Sequence, residues 1–275
     1  MNFWIKVDEF LRTPMEVPAI FSRFHFLFLG LTVACSVLVC LFHQKNRPER
    51  VRRFIFWVGI GAILFEIYKQ YVLNFSIVAG RVVYSPCWDA FPFQFCYLPL
   101  YLNLLFALTK EGRLHDAVAA FLATFSLGAG LLVVIYASTV FTDVVGLNWQ
   151  TMLCHGAMVV SGVYLLSSGY VKLEHKSILK ALPVFYTCVF LATVLNEVAY
   201  YTDFTSGQYF NMFFISRHYD SSFLPFSSIL PFTIPSSVIF FVYVLGFPLA
   251  AYSILLIAMR IKKCFDCCKA KKELL

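Results

Sequence analysis

The chain has 275 residues, of which 60% are hydrophobic, 18% aromatic and 13% charged, with a mean hydropathy of +0.76. Soluble domains carry about a quarter charged residues, so these proportions exclude a water-soluble domain, a disordered chain, a coiled coil and a nucleic-acid-binding domain. The class that remains is an all-α polytopic membrane bundle.

In chain order, residues 1–24 come first and hold Lys6, Asp8, Glu9, Arg12 and Glu16. That is too much charge for a signal-peptide core. Phe3, Trp4, Val7, Phe10 and Leu11 recur at helical spacing and predict an interfacial helix. Seven apolar runs follow, at 25–43, 54–74, 91–109, 117–138, 149–170, 179–202 and 234–259. Each is long enough to cross the hydrocarbon layer as a helix. The predicted organisation is an N-terminal interfacial segment (1–24), a seven-helix transmembrane domain (25–260) and a basic, cysteine-rich tail (261–275). The outer loop 203–233 is rich in Phe, Tyr and Leu, which predicts that it lies over the bundle mouth; Pro225, Pro231 and Pro235 break any long helix there.

The basic residues alternate from loop to loop. Of the 22, 16 fall in the loops 44–53, 110–116 and 171–180 and in the tail from Arg260, five fall in the N-terminus and the other loops, and Lys69 lies within the second run. By the positive-inside rule this predicts seven spans with the N-terminus outside and the C-terminus in the cytosol. The formal net charge of +7 then marks topology and attraction to anionic lipid.

Nine cysteines do not predict disulfides here, because only Cys87 falls in an outer loop. Cys35, Cys40, Cys154 and Cys188 lie in apolar runs, where cysteine packs as a small apolar residue. Cys264, Cys267 and Cys268 stand among lysines just past the last run and are lipidation candidates. A CxxC zinc half-site is the rival reading, but no second pair exists, so neither a metal nor a cofactor is expected.

Ionisable and polar groups within membrane spans are functional candidates by default. Glu66 and Lys69 share a helix face and can pair. The third run holds Gln94, Cys96 and Asn103, the fifth His155, and the sixth Asn196 and Glu197. Counted at 1.5 Å per residue, Cys96, His155 and Asn196 each lie ~8–9 Å from the outer end of their runs, with Glu66 and Lys69 at similar depth. A cysteine and a histidine at one depth form a minimal nucleophile–base pair: the imidazole takes the thiol proton and the thiolate attacks an acyl carbonyl. Glu66, Glu197 or Asn196 would orient the imidazole.

Three strings carry a resemblance to a known family. FPFQFCYLPLYLNLL, WQTMLCHGAMVVSGVYLL and LNEVAYYTDFTSGQYFNMFFIS, together with Glu66, follow each other in an order similar to that of the YwaF-like integral membrane proteins, over most of residues 50–260. That family includes a vertebrate acyltransferase making polyunsaturated ether phosphatidylethanolamine. The resemblance implies that Cys96 is the acyl-accepting cysteine and His155 its partner. Two departures stand out. Tyr97 follows the cysteine where small or acidic residues are usual, and an Asn-Tyr-Met-Phe string is here Phe210-Asn211-Met212-Phe213.

The expected function is phospholipid acyl transfer to a lysophospholipid through a Cys96 thioester. His155 is acid and base, Glu66 or Asn196 the orienter, and Lys69, Gln94, Asn103, Glu197 and Asn211 contact substrate. The expected partners are phospholipid, lysophospholipid and bulk membrane lipid, with no nucleic acid. The expected compartment is the endoplasmic reticulum or another endomembrane in a eukaryote, or the plasma membrane in a bacterium. A small-molecule transporter is the alternative, although paired repeats with matching broken helices are missing. A seven-helix receptor fits less well, since the third run ends in LTKEGRLHD and the last reads FPLAAY.

Overall fold

A computed structural model describes residues 3–42, 47–219 and 235–273, the last six as backbone only. Pro225 and Pro231, and part of the basic loop 44–53, lie outside the described residues. Of the described residues, 74% are helical.

Helix α1 (Phe3–Leu11) stands where the interfacial helix is predicted and exposes Phe3, Trp4 and Phe10. The bundle itself is built from α2 (Arg23–Phe42), α3 (Pro48–Asn74), α4 (Leu98–Leu108), α5 (Arg113–Phe121), α6 (Leu127–Ile135), α7 (Val145–Ser167), α8 (His175–Thr202), α9 (Ser236–Phe241) and α10 (Phe247–Glu273). A five-residue π turn, Leu122–Ser126, joins α5 to α6, and a second, Val242–Gly246, joins α9 to α10. Six of the seven predicted apolar runs fall largely on helical stretches, while the run 91–109 is helical only from Phe95. Among the described residues, four stretches are long and apolar enough to cross a membrane: Arg23–Phe42, Arg113–Ile135, His175–Thr202 and Ser236–Cys267.

Local chemistry sets several boundaries. Proline lacks an N–H and tolerates a helix only in its first turn without disruption, and Pro48 and Pro99 occupy that place in α3 and α4. The turn before α4 is irregular because Pro86 and Pro92 interrupt it, so the third run forms only an 11-residue helix. A two-stranded hairpin, β1 (Phe75–Val78) with β2 (Arg81–Tyr84), caps α3 and modifies the all-helical expectation. Ala79 and Gly80 turn it with φ of 50° and 76°, the positive pair that a tight hairpin requires.

The helices run alternately between two ends of the bundle. At one end Tyr68 donates to the Leu11 carbonyl at 2.7 Å, Arg12 donates to Val72 O at 2.6 Å and also to Phe75 O, and Pro14 bridges to Val144. At the other end Arg52 donates to the carbonyls of Ala107 at 3.0 Å and Thr109 at 2.5 Å, and Lys180 pairs with Asp116 at 3.2 Å.

Helix α7 is the centre, packed against α2, α3 and α6, while α3 packs on α4 and α5 on α8. Lipid gives helices no hydrophobic reason to associate, so close approach matters. A Cβ on Gly130 of α6 would sit 2.8 Å from the His155 carbonyl, and one on Gly59 of α3 would sit 2.9 Å from Leu104. Behind them lies an aromatic core in which Phe125 stacks on Phe185 at 4.6 Å, Tyr243 on Phe247 at 4.2 Å, and Phe95 meets Phe247 edge-on at 5.0 Å.

Candidate functional site

Cys96 sits in a single 3-10 turn, Phe95–Tyr97, immediately before α4. The expected depth assumed a regular helix from Phe91, and the prolines of this segment prevent one. Position is set instead by the flanking rings. Phe95 is buried in the aromatic core, and Tyr97 lies under the Lys69 ammonium, 4.2 Å from Nζ to the ring centroid. A cation over an aromatic face is held by the ring quadrupole.

Lys69 and Glu66 share a face of α3, as expected, but form no ion pair. Lys69 turns to Tyr97, and Glu66 Oε1 accepts from Gln70 Nε2 at 2.7 Å. The same Gln70 amide donates to the Ala90 carbonyl at 2.7 Å and accepts from Asn74 Nδ2 at 2.8 Å, while Asn74 Oδ1 accepts from the Cys87 N–H at 2.8 Å. Residues 66, 70 and 74 are thus a hydrogen-bonded ladder at four-residue spacing that pins the 85–90 loop. Glu66 Oε2 is buried without a hydrogen-bond partner. Asp89, in the short turn Trp88–Ala90, interacts with Lys69. Partial burial pushes its carboxyl above the ordinary range, and Lys69 pulls it back.

His155 is buried on α7, and its Nδ1 lies 2.7 Å from the Thr151 carbonyl, one helical turn earlier. A carbonyl only accepts, so Nδ1 carries the proton and Nε2 offers a lone pair. The Thr151 carbonyl therefore orients the ring, in place of Glu66, Glu197 or Asn196. Lys69 lies within electrostatic range of His155 and Cys96, Glu66 of Cys96, and Cys154 of both Glu66 and Cys96. Cys154, read as packing, is thus a member of the cluster, with Gln150 Nε2 3.7 Å from its sulfur. No hydrogen bond joins Cys96 to His155 among the described residues. An apolar groove of about 340 Å³ opens between α2, α3 and α7, lined by Phe28, Thr32, Cys35, Met152 and Gly156, with no member of the cluster in its wall.

The other expected site residues do different work. Asn196 accepts from the Met212 N–H at 2.7 Å and donates to the Met212 carbonyl at 3.0 Å. Gln94 likewise accepts from the Phe213 N–H at 2.7 Å and donates to the Asn211 carbonyl at 2.9 Å. Asn211 accepts from the Ser216 N–H at 2.9 Å and donates to Tyr209 at 3.0 Å. These three amides hold the 209–216 loop against the bundle. They support a backbone in which Phe213 and Phe214 both take positive φ, 60° and 57°, a costly conformation for large side chains. Phe213 stacks on Phe93 at 5.7 Å and meets Phe95 edge-on at 5.6 Å, so the loop reaches the turn that carries Cys96. Glu197 points away from the cluster, accepting from Arg217 at 2.8 Å and His218 at 3.2 Å. Asn103 is buried against Gly59, with Oδ1 unpartnered. Cys264 and Cys267 are exposed on α10, and the Cys268 side chain lies outside the described residues.

Residues 20–249 match the model of the TMEM164 family, and that stretch includes every member of the cluster. No curated protein and no solved structure matches the chain. A membrane family and four apolar helices together make this an integral membrane protein.

Proposed function

The chain belongs to the TMEM164 family, and from that premise and the cluster on α3, α7 and the 95–97 turn we infer a membrane-embedded phospholipid acyltransferase. Nε2 of His155 takes the Cys96 thiol proton, and the thiolate attacks the ester carbonyl of a donor phospholipid. The ester C–O bond breaks, the lysophospholipid oxygen leaves with the proton from His155, and the acyl chain stays on Cys96 as a thioester. An acceptor lysophospholipid hydroxyl then gives its proton to His155 and attacks the thioester. Cys96 departs as thiolate and is reprotonated by His155.

The observation that carries this reading is the His155 tautomer, fixed by Thr151 with its basic nitrogen free, on a helix that also carries Cys154 and packs against the α3 helix that carries Lys69. Active-site hydrogen bonds are often absent without substrate and tighten when it binds. Lys69 supplies a positive charge beside Cys96, suited to a thiolate or to a lipid phosphate. The groove beside Gly156 suits one acyl chain. The resemblance of the three strings to YwaF-like proteins supports the same chemistry. Seven spans, with the basic end in the cytosol and the Cys96 end outside or lumenal, accompany the reading and follow the charge asymmetry.

The test uses purified full-length protein in proteoliposomes with a labelled donor phospholipid and a lysophospholipid acceptor. Transfer, together with an acyl adduct on Cys96 by mass spectrometry, is expected; wild-type transfer by Cys96→Ala protein overturns the assignment. One observation favours a transporter instead, the unpartnered buried Oε2 of Glu66. Solute uptake by the same vesicles that Glu66→Gln abolishes, without acyl transfer, would support that reading.

A further inference from the structure

The last helical stretch outlasts any bilayer. Ser236–Cys267 comprises 32 residues, or ~48 Å at 1.5 Å per residue, against about 30 Å of hydrocarbon. Its first charged residue is Arg260, and α10 continues unbroken to Glu273. Cys264 lies four residues past Arg260, ~6 Å along the axis, and Cys267 ~10 Å. Both are exposed.

The helical register sorts this extension into two faces. Ile257, Ile261, Cys264 and Phe265 share one, at spacings of three, four and seven residues, and the three apolar members are 58%, 52% and 72% exposed. The other face carries Lys262, Lys263 and Asp266, which line a groove with Leu173 and Met259 against the α7–α8 loop. Cys267 also lines that groove. Cβ bonds on a helix tilt toward its N-terminus, so the Cys264 side chain leans back toward Ile261 and Ile257.

We propose that Cys264 is S-acylated with a long fatty chain that folds back along the Ile257–Ile261 stripe, with Cys267 a weaker second acceptor. Three observations place it there. Cys264 follows the first charged residue of the helix by ~6 Å, the apolar stripe of Ile257 and Ile261 beside it is exposed, and the basic residues Arg260, Lys262 and Lys263 flank it in sequence, as suits the anionic surface of a membrane. The reaction is thioester exchange. The Cys264 sulfur forms a bond to the acyl carbonyl of a long-chain acyl-coenzyme A, the old thioester breaks, and coenzyme A leaves as the thiol with the proton from Cys264. A separate cytosolic-face acyltransferase performs it, since Cys96 stands at the other end of the bundle. The inference depends on the basic end being cytosolic and is independent of whether Cys96 transfers acyl chains.

The test expresses the full chain in eukaryotic cells carrying Cys96→Ala, so that a catalytic thioester is not counted. Free thiols are blocked, thioesters are cleaved with hydroxylamine, and the released thiols receive a polymer tag read as a gel shift. A hydroxylamine-dependent shift is expected, reduced at least several-fold by Cys264→Ser, less by Cys267→Ser, and abolished by serine at 264, 267 and 268 together. Absence of any hydroxylamine-dependent shift, or a shift unchanged in Cys264→Ser protein, overturns the proposal.

Discussion

Two groups of polar side chains lie buried or half-buried in this bundle, yet their atoms are engaged in opposite ways. Gln94, Asn196 and Asn211 present both amide atoms to partners, almost all of them backbone groups of the 209–216 loop. Glu66, Lys69, Cys96 and His155 instead keep open valences: an unpartnered carboxylate oxygen, an ammonium resting on a ring, a thiol in a 3-10 turn and an imidazole bonded through Nδ1 alone. A buried polar group with every valence filled holds a backbone in place. One left open at a cost is a candidate for chemistry. The comparison divides a layer that looks uniform in depth into a scaffold and a site.

The division can be broken by experiment. The largest effect expected is from Cys96→Ala, which should cut acyl transfer by at least about 1000-fold, as loss of a nucleophile does, while leaving the melting temperature in detergent unchanged. His155→Gln should cost roughly 10²–10⁴ in rate by removing the base, again with little effect on melting. Asn196→Ala should do the reverse. It leaves the Met212 N–H buried and unpaired, at about 1–3 kcal/mol, while the Met212 carbonyl keeps the Ile215 N–H at 3.4 Å, so denaturation should shift by about 1–3 kcal/mol while transfer per folded molecule holds. A large rate loss in folded Asn196→Ala protein would merge the two groups again.

The smallest effect concerns Asp89. Its carboxyl titrates above the unfolded value of about 3.9, so the folded state favours the protonated form. Stability contributed by that proton is present at low pH and is lost as pH rises through the folded value. Asp89→Asn should therefore raise the melting temperature near pH 7, and the gain should vanish below about pH 4. Because solvent reaches this residue, the gain should stay under about 1 kcal/mol.

Much of the helical framework is legible in the sequence, because an apolar run of about 20 residues has few other ways to satisfy its backbone. The N-terminal helix is legible for a similar reason, through the spacing of Phe3, Val7 and Phe10. The hairpin at 75–84 had a readable signal, β-branched pairs on either side of Ala79-Gly80, overshadowed by the long apolar segments around it. The 3-10 turn at Cys96 follows from Pro92 and Pro99, which a hydropathy scan does not weigh. The functions of Gln94, Asn196 and Asn211 were hidden, because an amide within an apolar run looks the same whether it faces a substrate or a distant loop. The orienting role of the Thr151 carbonyl is invisible to side-chain reasoning altogether, since it belongs to the backbone. Cys154 adjoins His155 in sequence, but only the approach of α3 and the 95–97 turn brings it to Cys96.

The first fifteen residues bear on the site without touching it. Arg12 and Leu11 fasten to the end of α3, and Thr13, Pro14 and Met15 lace into the strand-like entry of α7, with Met15 N–H on the Asp143 carbonyl at 2.8 Å and Val145 N–H on the Thr13 carbonyl at 3.0 Å. One short arm thus ties together the two helices that carry Glu66 with Lys69 and Cys154 with His155. It works as a hoop, setting the gap between the two walls from above. That arm precedes residue 20, where the family match begins, so part of what sets the gap between the two walls lies outside the matched region.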